Sequence, residues 1–442
     1  MKLFEETEIL PFSSEVSSAG VLKINGHSIN DLVREFGSPL YIYDEDTIRK
    51  MCSNFKESFQ KFYKNSHIEY SCKAFANPFV NKIIDEEGLY MDVVTGGELA
   101  IAVASNFPPS KLNFHGNNKG KEELTQALNY EVEHITIDSF AEINLLNDIA
   151  VDLGKFQKVM LRLSPSIDPH THLLTSTGIL DSKFGFSIET GDAELAIKQT
   201  LDKSNLILEG VHFHLGSPIF ELEPFSEAIE YVLDFCYEMK ENYSFNLKRF
   251  SPGGGFAIGY QTNKKPPEIS EYAKVISASI KKSCDKYSLD YPELIVEPGR
   301  SIIGRSGVAV YTVGGIKKIK DVRTYVSVDG GMGDNIRPAL YQSEYSVISA
   351  EKVNEKRDNL VTIAGKFCES GDILAKDVFI PNPQIGDLIA LPASGAYNLM
   401  MASNYNMQTK PAVILIKSSV EPPVLISRRE TYDDLLRLSI FE

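Results

Sequence analysis

The sequence contains no CxxC pair and only five cysteines, at positions 52, 72, 236, 284 and 368. An odd number of cysteines without paired spacing does not describe a disulfide framework. We therefore expect reduced thiols and a cytoplasmic location. The absence of CxxC pairs also argues against a structural zinc site, and we expect no metal.

Long hydrophobic runs and an excess of positive charge are also missing. No stretch approaches the roughly 18 apolar residues of a membrane span. The N-terminus, Met1-Lys2-Leu3-Phe4-Glu5-Glu6, lacks the basic start and unbroken apolar core of a signal peptide. The formal net charge of −15 argues against nucleic-acid binding, which needs a clustered basic face. We expect neither a membrane nor a nucleic-acid partner.

Short apolar runs alternate with amphipathic helical stretches between about Tyr70 and Arg300. This alternation is typical of a (β/α)8 barrel. An open doubly wound sheet is the alternative, but no GxGxxG turn follows the first run. The eight runs are Ile68–Lys73, Tyr90–Thr95, Leu112–Gly116, Ile135–Ser139, Val159–Ser164, Leu208–Leu215, Arg249–Gly253 and Leu294–Glu297.

The predicted secondary structure changes after Arg300. Short strand-like runs separated by Gly, Pro and Asn, with little helix, predict a β-rich C-terminal domain, either a β-sandwich or a small barrel. The N-terminal segment, including the strand-like Leu40–Tyr43, is expected to join it. We predict a barrel domain at residues 44–304 and a β-rich domain made of residues 1–43 plus 305–442.

Lys73 and a run of three glycines follow predicted barrel strands. The carboxyl ends of the strands form the catalytic face of such barrels. A lysine that is partly neutral can form a Schiff base with an aldehyde, although a lysine after a strand is otherwise an ordinary surface residue. Gly253-Gly254-Gly255 follows the seventh run, where barrel phosphate sites are common. A triple glycine elsewhere is more often only a loop.

Two further strand ends carry functional groups. Glu297-Pro298-Gly299-Arg300 follows the eighth run, and its carboxylate can keep a pyridine nitrogen protonated while Arg300 pairs with an anion. The alternative is a structural ion pair. His214 lies at the end of the sixth run and Ser217 follows that run, where an imidazole can stack on a ring and a hydroxyl can donate to phosphate. His212 lies deeper and reads as a core histidine.

Three segments of the second domain also contain reactive side chains. Arg337 and Tyr341 are four residues apart, Cys368 and Glu369 follow a β run, and Tyr397 follows Gly395. Cys368 could donate a proton if its pKa were tuned, although a free cysteine is most often only buried. By themselves, these segments read as ordinary loops.

Together and in this order, the motifs resemble the fold-type III pyridoxal-phosphate decarboxylases, the alanine-racemase-like barrel family. The resemblance runs from Leu40 to Thr431. Within the family, the sequence is most similar to the members that act on diaminopimelate. The motifs that carry it are Cys72-Lys73-Ala74, His115–Lys119, His214–Ser217, Gly253–Gly255, Glu297–Arg300, Asp334–Tyr341, Cys368–Asp372 and Gly395–Tyr397.

The resemblance implies a role for each matching cofactor residue. Lys73 would bind pyridoxal 5'-phosphate covalently, His214 would stack on its ring, and Glu297 would pair with the ring nitrogen. Tyr397 would lie near the cofactor and the substrate. The phosphate would be held by Ser217, Gly253, Gly254, Gly255, Gly299 and Arg300.

The resemblance also implies decarboxylation of meso-2,6-diaminopimelate to L-lysine and CO2 by a homodimer. Arg300, Arg337 and Tyr341 would bind the distal carboxylate of the substrate, and Glu369 its distal ammonium. The partner subunit would supply Cys368 and Glu369. Cys368 or Lys73 would then return a proton to the reacting carbon.

Physical chemistry favours this substrate over simpler diamines. Two arginines at the distal end would repel ornithine, lysine or arginine, whereas diaminopimelate carries a second carboxylate. Departures from the family pattern near Pro218, Lys366 and Met407 leave open a related decarboxylase acting on another or a carrier-linked amino acid. A non-catalytic cofactor-binding barrel would lack the second domain. An alanine racemase would need a catalytic tyrosine there.

Overall fold

The structure, a computed structural model, describes residues 9–167, 181–261 and 263–440. The chain divides into two compact units. The barrel unit comprises Met51–Ala257 and Pro267–Gly299, and the β-rich unit comprises Met1–Lys50, Ile258–Pro266 and Arg300–Glu442. The domain boundaries expected from the sequence, residues 44–304 for the barrel domain and 1–43 plus 305–442 for the β-rich domain, stay a prediction.

Eight parallel strands form a closed barrel in the barrel unit. Each strand pairs with the next along the chain, and the eighth pairs with the first. This confirms the predicted (β/α)8 fold. A short strand, Phe186–Ser187, adds to the fifth. The barrel strands are Ser66–Ser71, Tyr90–Val93, Leu112–Phe114, His134–Ile137, Gln157–Ser164, Leu206–His212, Arg249–Ser251 and Glu293–Val296.

Helices follow the first seven barrel strands. Three of them begin at a polar residue whose side chain accepts a hydrogen bond from the first helical turn, namely Asn77, Thr95 and Ser139. The helices are Pro78–Glu86, Gly96–Ala104, Lys121–Tyr130, Phe140–Asp152, Asp192–Leu201, Glu223–Tyr243 and Ile269–Tyr287. Glu45–Phe62 precedes the first strand, and Pro109–Lys111 is a 3-10 turn.

Several predicted strands extend too far at their carboxyl ends. The first ends at Ser71, so Lys73 lies in a following 3-10 turn, Cys72–Ala74. The sixth ends at His212, which places His214 in the loop beyond it. The error has a physical reason: apolar residues continue into loops that are buried at this end of the barrel, so hydrophobicity alone does not mark where pairing stops.

A mixed nine-stranded sheet dominates the β-rich unit, beside a three-stranded antiparallel sheet of Ser14–Val16, Leu22–Ile24 and His27–Ser28. Leu40–Asp44 pairs antiparallel with Gly307–Ile319 and parallel with Ala412–Ile416, so the N-terminal segment joins this unit as expected. The remaining strands are Arg323–Val328, Ile348–Ser349, Asn359–Ala364, Ile373–Ile380, Leu388–Leu391 and Val424–Ser427.

Little helix occurs in the β-rich unit. Its helices are Ile29–Phe36, Arg300–Ile303, Arg337–Tyr341 and Tyr432–Leu436, with 3-10 turns at Leu399–Met401 and Tyr405–Met407. Its core is aliphatic and includes Leu22, Ile42, Val310 and Ile414. In the part of the chain that the structure describes, no helix has both the length and the apolar character needed to cross a membrane.

Candidate active site

Lys73 lies in the turn that directly follows the first barrel strand, between the buried residues Cys72 and Ala74. Lys73 itself is half-buried. Gly299 packs against this turn, because a Cβ built on it would lie 3.0 Å from the Ser71 Cβ and 3.2 Å from the Ala74 Cβ. A larger residue at 299 would therefore displace the lysine turn.

Asp92, at the second strand, is a buried carboxylate that the sequence analysis did not identify. The Ser71 hydroxyl donates a hydrogen bond to its Oδ2 over 2.5 Å. Burial raises the pKa of Asp92 to about 7, although the Lys73 ammonium opposes the shift. An acidic residue inside the apolar run Tyr90–Val93 was the available signal, because a buried carboxylate needs a partner.

Glu297 is buried directly after the eighth strand and accepts two hydrogen bonds. Ser251 Oγ donates to its Oε1 over 2.5 Å, and His212 Nε2 lies 3.1 Å from its Oε2. Burial alone would raise the pKa of Glu297. The neighbouring His212 and His115 rings, with the two hydrogen bonds, instead hold that pKa well below its ordinary value. Glu297 is thus an ionised carboxylate in a buried site.

The three glycines after the seventh strand occupy space that admits no side chain. A Cβ on Gly253 would lie 2.5 Å from the Phe213 carbonyl oxygen, and one on Gly254 would lie 2.1 Å from the Glu297 carbonyl oxygen. Gly255 has a φ of +101°, in the left-handed region. The backbone of this loop can therefore approach a ligand closely, as a phosphate cradle requires.

His214 contacts this glycine loop. The Gly254 N–H donates to His214 Nδ1 over 3.2 Å, so the ring proton is on Nε2. Burial first, and then the charges of Lys73 and Arg162, hold the pKa of His214 well below its ordinary value. His214 is a neutral imidazole, which suits stacking on an aromatic ring. Ser217 lies three residues further along the same loop and is partly exposed.

His115 and a second buried glutamate extend the network behind Glu297. The His115 and His212 rings meet edge to face with centroids 4.9 Å apart. His115 Nε2 lies 3.4 Å from Glu69 Oε1, and Asn113 Nδ2 donates to Glu69 Oε2. Burial, followed by repulsion from Glu297 and Asp92, raises the pKa of Glu69 well above its ordinary value. The site therefore shifts the pKa values of these two buried carboxyls in opposite directions.

His115, His212 and Glu297 are also of the residue types that bind metal ions, and one donor atom from each lies within 4.8 Å of the others. His212 Nε2 and Glu297 Oε2, however, already hydrogen-bond to each other, as do Glu297 Oε1 and Ser251 Oγ. We therefore assign the trio to a hydrogen-bond network.

The residues of the barrel unit fit pyridoxal phosphate. The group needs an amine for its aldehyde, an anion for its ring nitrogen, a flat neutral partner for its ring and backbone room for its phosphate. Lys73, Glu297, His214 and the loop Gly253–Gly255 meet these needs in turn. The fit rests on the ionised state of Glu297 and on glycine positions where a Cβ would collide with backbone.

Arg300 is the centre of an aromatic cluster in the β-rich unit. Its Nη1 donates to the hydroxyl of Tyr260, and its Cζ lies 4.8 Å from the centroid of the Tyr397 ring. Tyr397 has a φ of +68°, a conformation that large residues rarely adopt and that is common at functional positions. Arg300 and Tyr397, both expected from the sequence, are therefore neighbours.

Arg337 joins the same cluster from the short helix Arg337–Tyr341, a segment that reads as a loop in the sequence. It is buried, and its Nε donates to Tyr345 Oη over 3.0 Å. Its Cζ lies 5.5 Å from the Tyr260 ring centroid and 5.6 Å from that of Tyr341. Among the described residues, its hydrogen-bond partners are hydroxyls rather than carboxylates. A buried guanidinium in such surroundings suits a carboxylate ligand.

Tyr260 and Tyr345 are site residues that sequence reasoning missed. Tyr260 lies between the two arginines, and their charges lower its pKa even though burial opposes the shift. The two tyrosine rings meet edge to face at 5.2 Å. They come from segments far apart in the chain, and nothing in either local pattern distinguishes them.

Cys368 and Glu369 are exposed on the β-rich unit. The Cys368 N–H donates to Asn406 Oδ1 over 2.8 Å, and the rings of Phe367 and Tyr405 stack at 6.3 Å beside it. These contacts order the loop while leaving both reactive side chains open to solvent. Among the described residues, no hydrogen bond or ion pair joins either side chain to Arg337.

Comparisons with known proteins show the family to which this chain belongs. A family model described as the pyridoxal binding domain of pyridoxal-dependent decarboxylases matches residues 45–304. A diaminopimelate decarboxylase from Bacillus subtilis (strain 168) is 42% identical over 428 residues, which cover 97% of this chain and 97% of that protein. This chain belongs to the diaminopimelate decarboxylase family.

Other members of the diaminopimelate decarboxylase family are similarly close. The enzyme from Synechocystis sp. is 42% identical over 438 residues, covering 97% of this chain and 92% of that protein. Among solved structures, diaminopimelate decarboxylase from M. jannaschii in complex with L-lysine is 34% identical with a TM-score of 0.91, covering 98% of each chain. The Helicobacter pylori enzyme with L-lysine is 30% identical with a TM-score of 0.84, covering 92% of this chain and 98% of that one.

Proposed function

We propose that this protein decarboxylates meso-2,6-diaminopimelate to L-lysine and CO2 with pyridoxal 5'-phosphate as its cofactor. The observation that carries the proposal is the 42% identity to a diaminopimelate decarboxylase over nearly the full length of both chains. The buried, ionised Glu297 is the physical support, because this chemistry needs an anion beside the cofactor's ring nitrogen.

The barrel unit would hold the cofactor. Lys73 would bind its aldehyde covalently, Glu297 would hold a proton on its ring nitrogen and His214 would stack on its ring. The bound cofactor supplies an electron sink for the pair left behind when CO2 departs. The phosphate would be held by Ser217, Gly253, Gly254, Gly255, Gly299 and Arg300.

The arginine–tyrosine cluster would recognise the distal end of the substrate. Arg300, Arg337 and Tyr341 would bind the distal carboxylate, and Glu369 would bind the distal ammonium. Tyr397 would contact both the cofactor and the substrate. A substrate with only a distal cation would meet two buried guanidinium groups and be repelled, which selects against lysine and ornithine.

Cys368 would return a proton to Cα from its thiol once the carbon–carbon bond to the carboxylate has broken. Lys73 is the alternative donor. We propose that Cys368 and Glu369 act in the site of a partner subunit within a homodimer. Their exposure supports this, because a proton donor and a carboxylate that bind substrate should be shielded from water in the working enzyme.

Substrate discrimination tests this function. The cofactor-loaded protein is incubated separately with meso-diaminopimelate, L-lysine, L-ornithine and L-arginine, and the CO2 released is measured. We expect release from diaminopimelate alone and none from a Lys73→Ala variant. Release only from a diamine with one carboxylate would overturn the assigned distal pocket. No release from all four would favour another or a carrier-linked amino acid, and full turnover by Lys73→Ala would overturn the enzyme reading.

A further inference from the structure

His212 is a buried histidine that hydrogen-bonds to Glu297. Its Nε2 lies 3.1 Å from Glu297 Oε2. Its Nδ1 is buried and has no hydrogen-bond partner among the residues that the structure describes. The geometry therefore places a proton on Nε2, which donates to the carboxylate.

A second donor fixes the other oxygen of Glu297. Ser251 Oγ donates to Oε1 over 2.5 Å and accepts the Gly253 N–H over 3.1 Å. The serine thus connects the carboxylate to the glycine loop. Two donors on different strands define both the position of the carboxylate and the direction of its remaining lone pairs.

His115 holds the ring of His212 in place. Its ring packs edge to face on that of His212, and its Nε2 lies within 3.4 Å of both Thr136 Oγ1 and Glu69 Oε1. Because all of these side chains are buried, rotation of the His212 ring would break contacts that no water can replace.

We propose that His212, assisted by Ser251, is a positioning residue that fixes the Glu297 carboxylate as the acceptor for the protonated ring nitrogen of the cofactor. This inference rests on the proposed function and deepens it. His212 touches neither substrate nor cofactor in this role; it acts through Glu297. The sequence predicted that His212 is a core histidine. The structure adds that its hydrogen-bond partner is Glu297, the carboxylate of the proposed site.

The test follows the ring nitrogen directly. Holoenzyme is prepared with pyridoxal phosphate labelled with 15N in the ring, and the NMR signal is measured together with kcat and KM. The variants are His212→Leu, which cannot donate; His212→Phe, which keeps the ring volume; and His212→Gln, whose amide N–H reaches a similar position. His134 supplies the matched control, because its Nε2 lies 2.9 Å from Glu209 Oε2 at the amino-terminal end of the barrel strands.

In His212→Leu and His212→Phe we expect the 15N signal to move toward that of unprotonated pyridine. We also expect kcat to fall by roughly 10- to 100-fold, with KM nearly constant, the usual effect of losing one hydrogen bond to a buried charge. His212→Gln should restore both quantities. His134→Leu should leave the 15N signal unchanged even where it lowers stability.

Wild-type signal and kcat in both His212→Leu and His212→Phe would overturn the inference. So would a Gln variant as impaired as the Phe variant. Should the Leu variant not fold, the Phe and Gln pair decides the question. Failure of the proposed function is a separate result: the wild-type protein would then bind no pyridoxal phosphate or release no CO2, before any variant is made.

Discussion

Arg300 donates a hydrogen bond to the hydroxyl of Tyr260, and the guanidinium of Arg337 lies 5.5 Å from the same ring. One phenol thus stands between two buried cations. It accepts from one and offers its face to the other, which keeps the two charges apart. We expect such a residue to prepare both guanidinium groups for a carboxylate ligand.

Removing this hydroxyl should weaken substrate binding. In Tyr260→Phe, Arg300 loses its hydrogen bond to this hydroxyl, so we expect KM for diaminopimelate to rise roughly tenfold. The value of kcat should change far less, because the arginine–tyrosine cluster is proposed to bind the distal carboxylate and not the reacting carbon. Steady-state kinetics check this, with the exposed Tyr432→Phe as the control. An unchanged KM would show that Tyr260 does not order the arginines.

The raised pKa of Glu69 predicts a dependence of stability on pH. The unfolded carboxyl titrates near 4.5, whereas burial keeps the folded one protonated to a much higher pH. As pH rises through this window, the unfolded state alone loses its proton, so Glu69 makes the folded state less stable. Below pH 4.5 both states are protonated and the effect is absent.

Glu69→Gln should abolish this loss. Its amide keeps an acceptor for Asn113, and it cannot ionise. The variant's free energy of unfolding, compared with that of the wild type, should therefore increase between about pH 5 and pH 8. Urea unfolding at several pH values measures it, with exposed Glu355→Gln as the control. A pH-independent difference would mean that Glu69 is ionised in the folded protein.

Charged residues at the amino-terminal end of the barrel strands should serve stability rather than catalysis. Arg249 Nε lies 2.8 Å from Glu293 Oε2, and Arg249 Nη2 lies 3.3 Å from Glu133 Oε1. Arg249→Met leaves these half-buried carboxylates without their shared cation. We expect a loss of about 2–4 kcal/mol in the free energy of unfolding.

The activity of the folded Arg249→Met enzyme should stay close to that of the wild type. The matched control is Arg428→Met, which breaks an exposed ion pair with Asp434 and should cost less than about 1 kcal/mol. Chemical denaturation and kcat, measured on the same samples, separate the two effects. A large fall in kcat for Arg249→Met at full folding would contradict this division of the barrel.

The alternation of apolar runs and helices predicted all eight barrel strands, because a parallel barrel buries both faces of each strand and leaves a continuous apolar signal. Two strands of the β-rich unit have weaker signals in the sequence. Ile373–Ile380 carries Lys376 and Asp377 at its centre, and Asp377 has a φ of +54°, so an irregularity interrupts the alternation. Val424–Ser427 follows two prolines and has only four residues.

The candidate site was predictable where a residue follows a strand directly. Lys73, His214 and Glu297 were found in this way, since topology alone brings strand ends together. Tyr260 meets Arg337 only through tertiary folding. The protonation states of Glu69 and Glu297 depend on burial and on neighbours from other strands, which no local pattern encodes.

Mixing two variants that each lack one proposed catalytic group tests the proposed sharing of the site between subunits. Lys73→Ala lacks the cofactor amine, and Cys368→Ala lacks the proposed proton donor. If Cys368 acts in the partner's site, a mixed dimer holds one intact site and one doubly defective site. Random reassociation of equal amounts should then recover about a quarter of wild-type activity.

The matched control mixes Lys73→Ala with Glu297→Gln. Both residues belong to the barrel unit of one chain, so every site in a mixed dimer keeps one defect and no activity should return. CO2 release after subunit exchange measures both mixtures. If the first mixture recovers no more activity than the control mixture, Cys368 acts in the site of its own chain. Recovery in the first mixture alone would identify the dimer as the working enzyme, because only a partner could then complete the site.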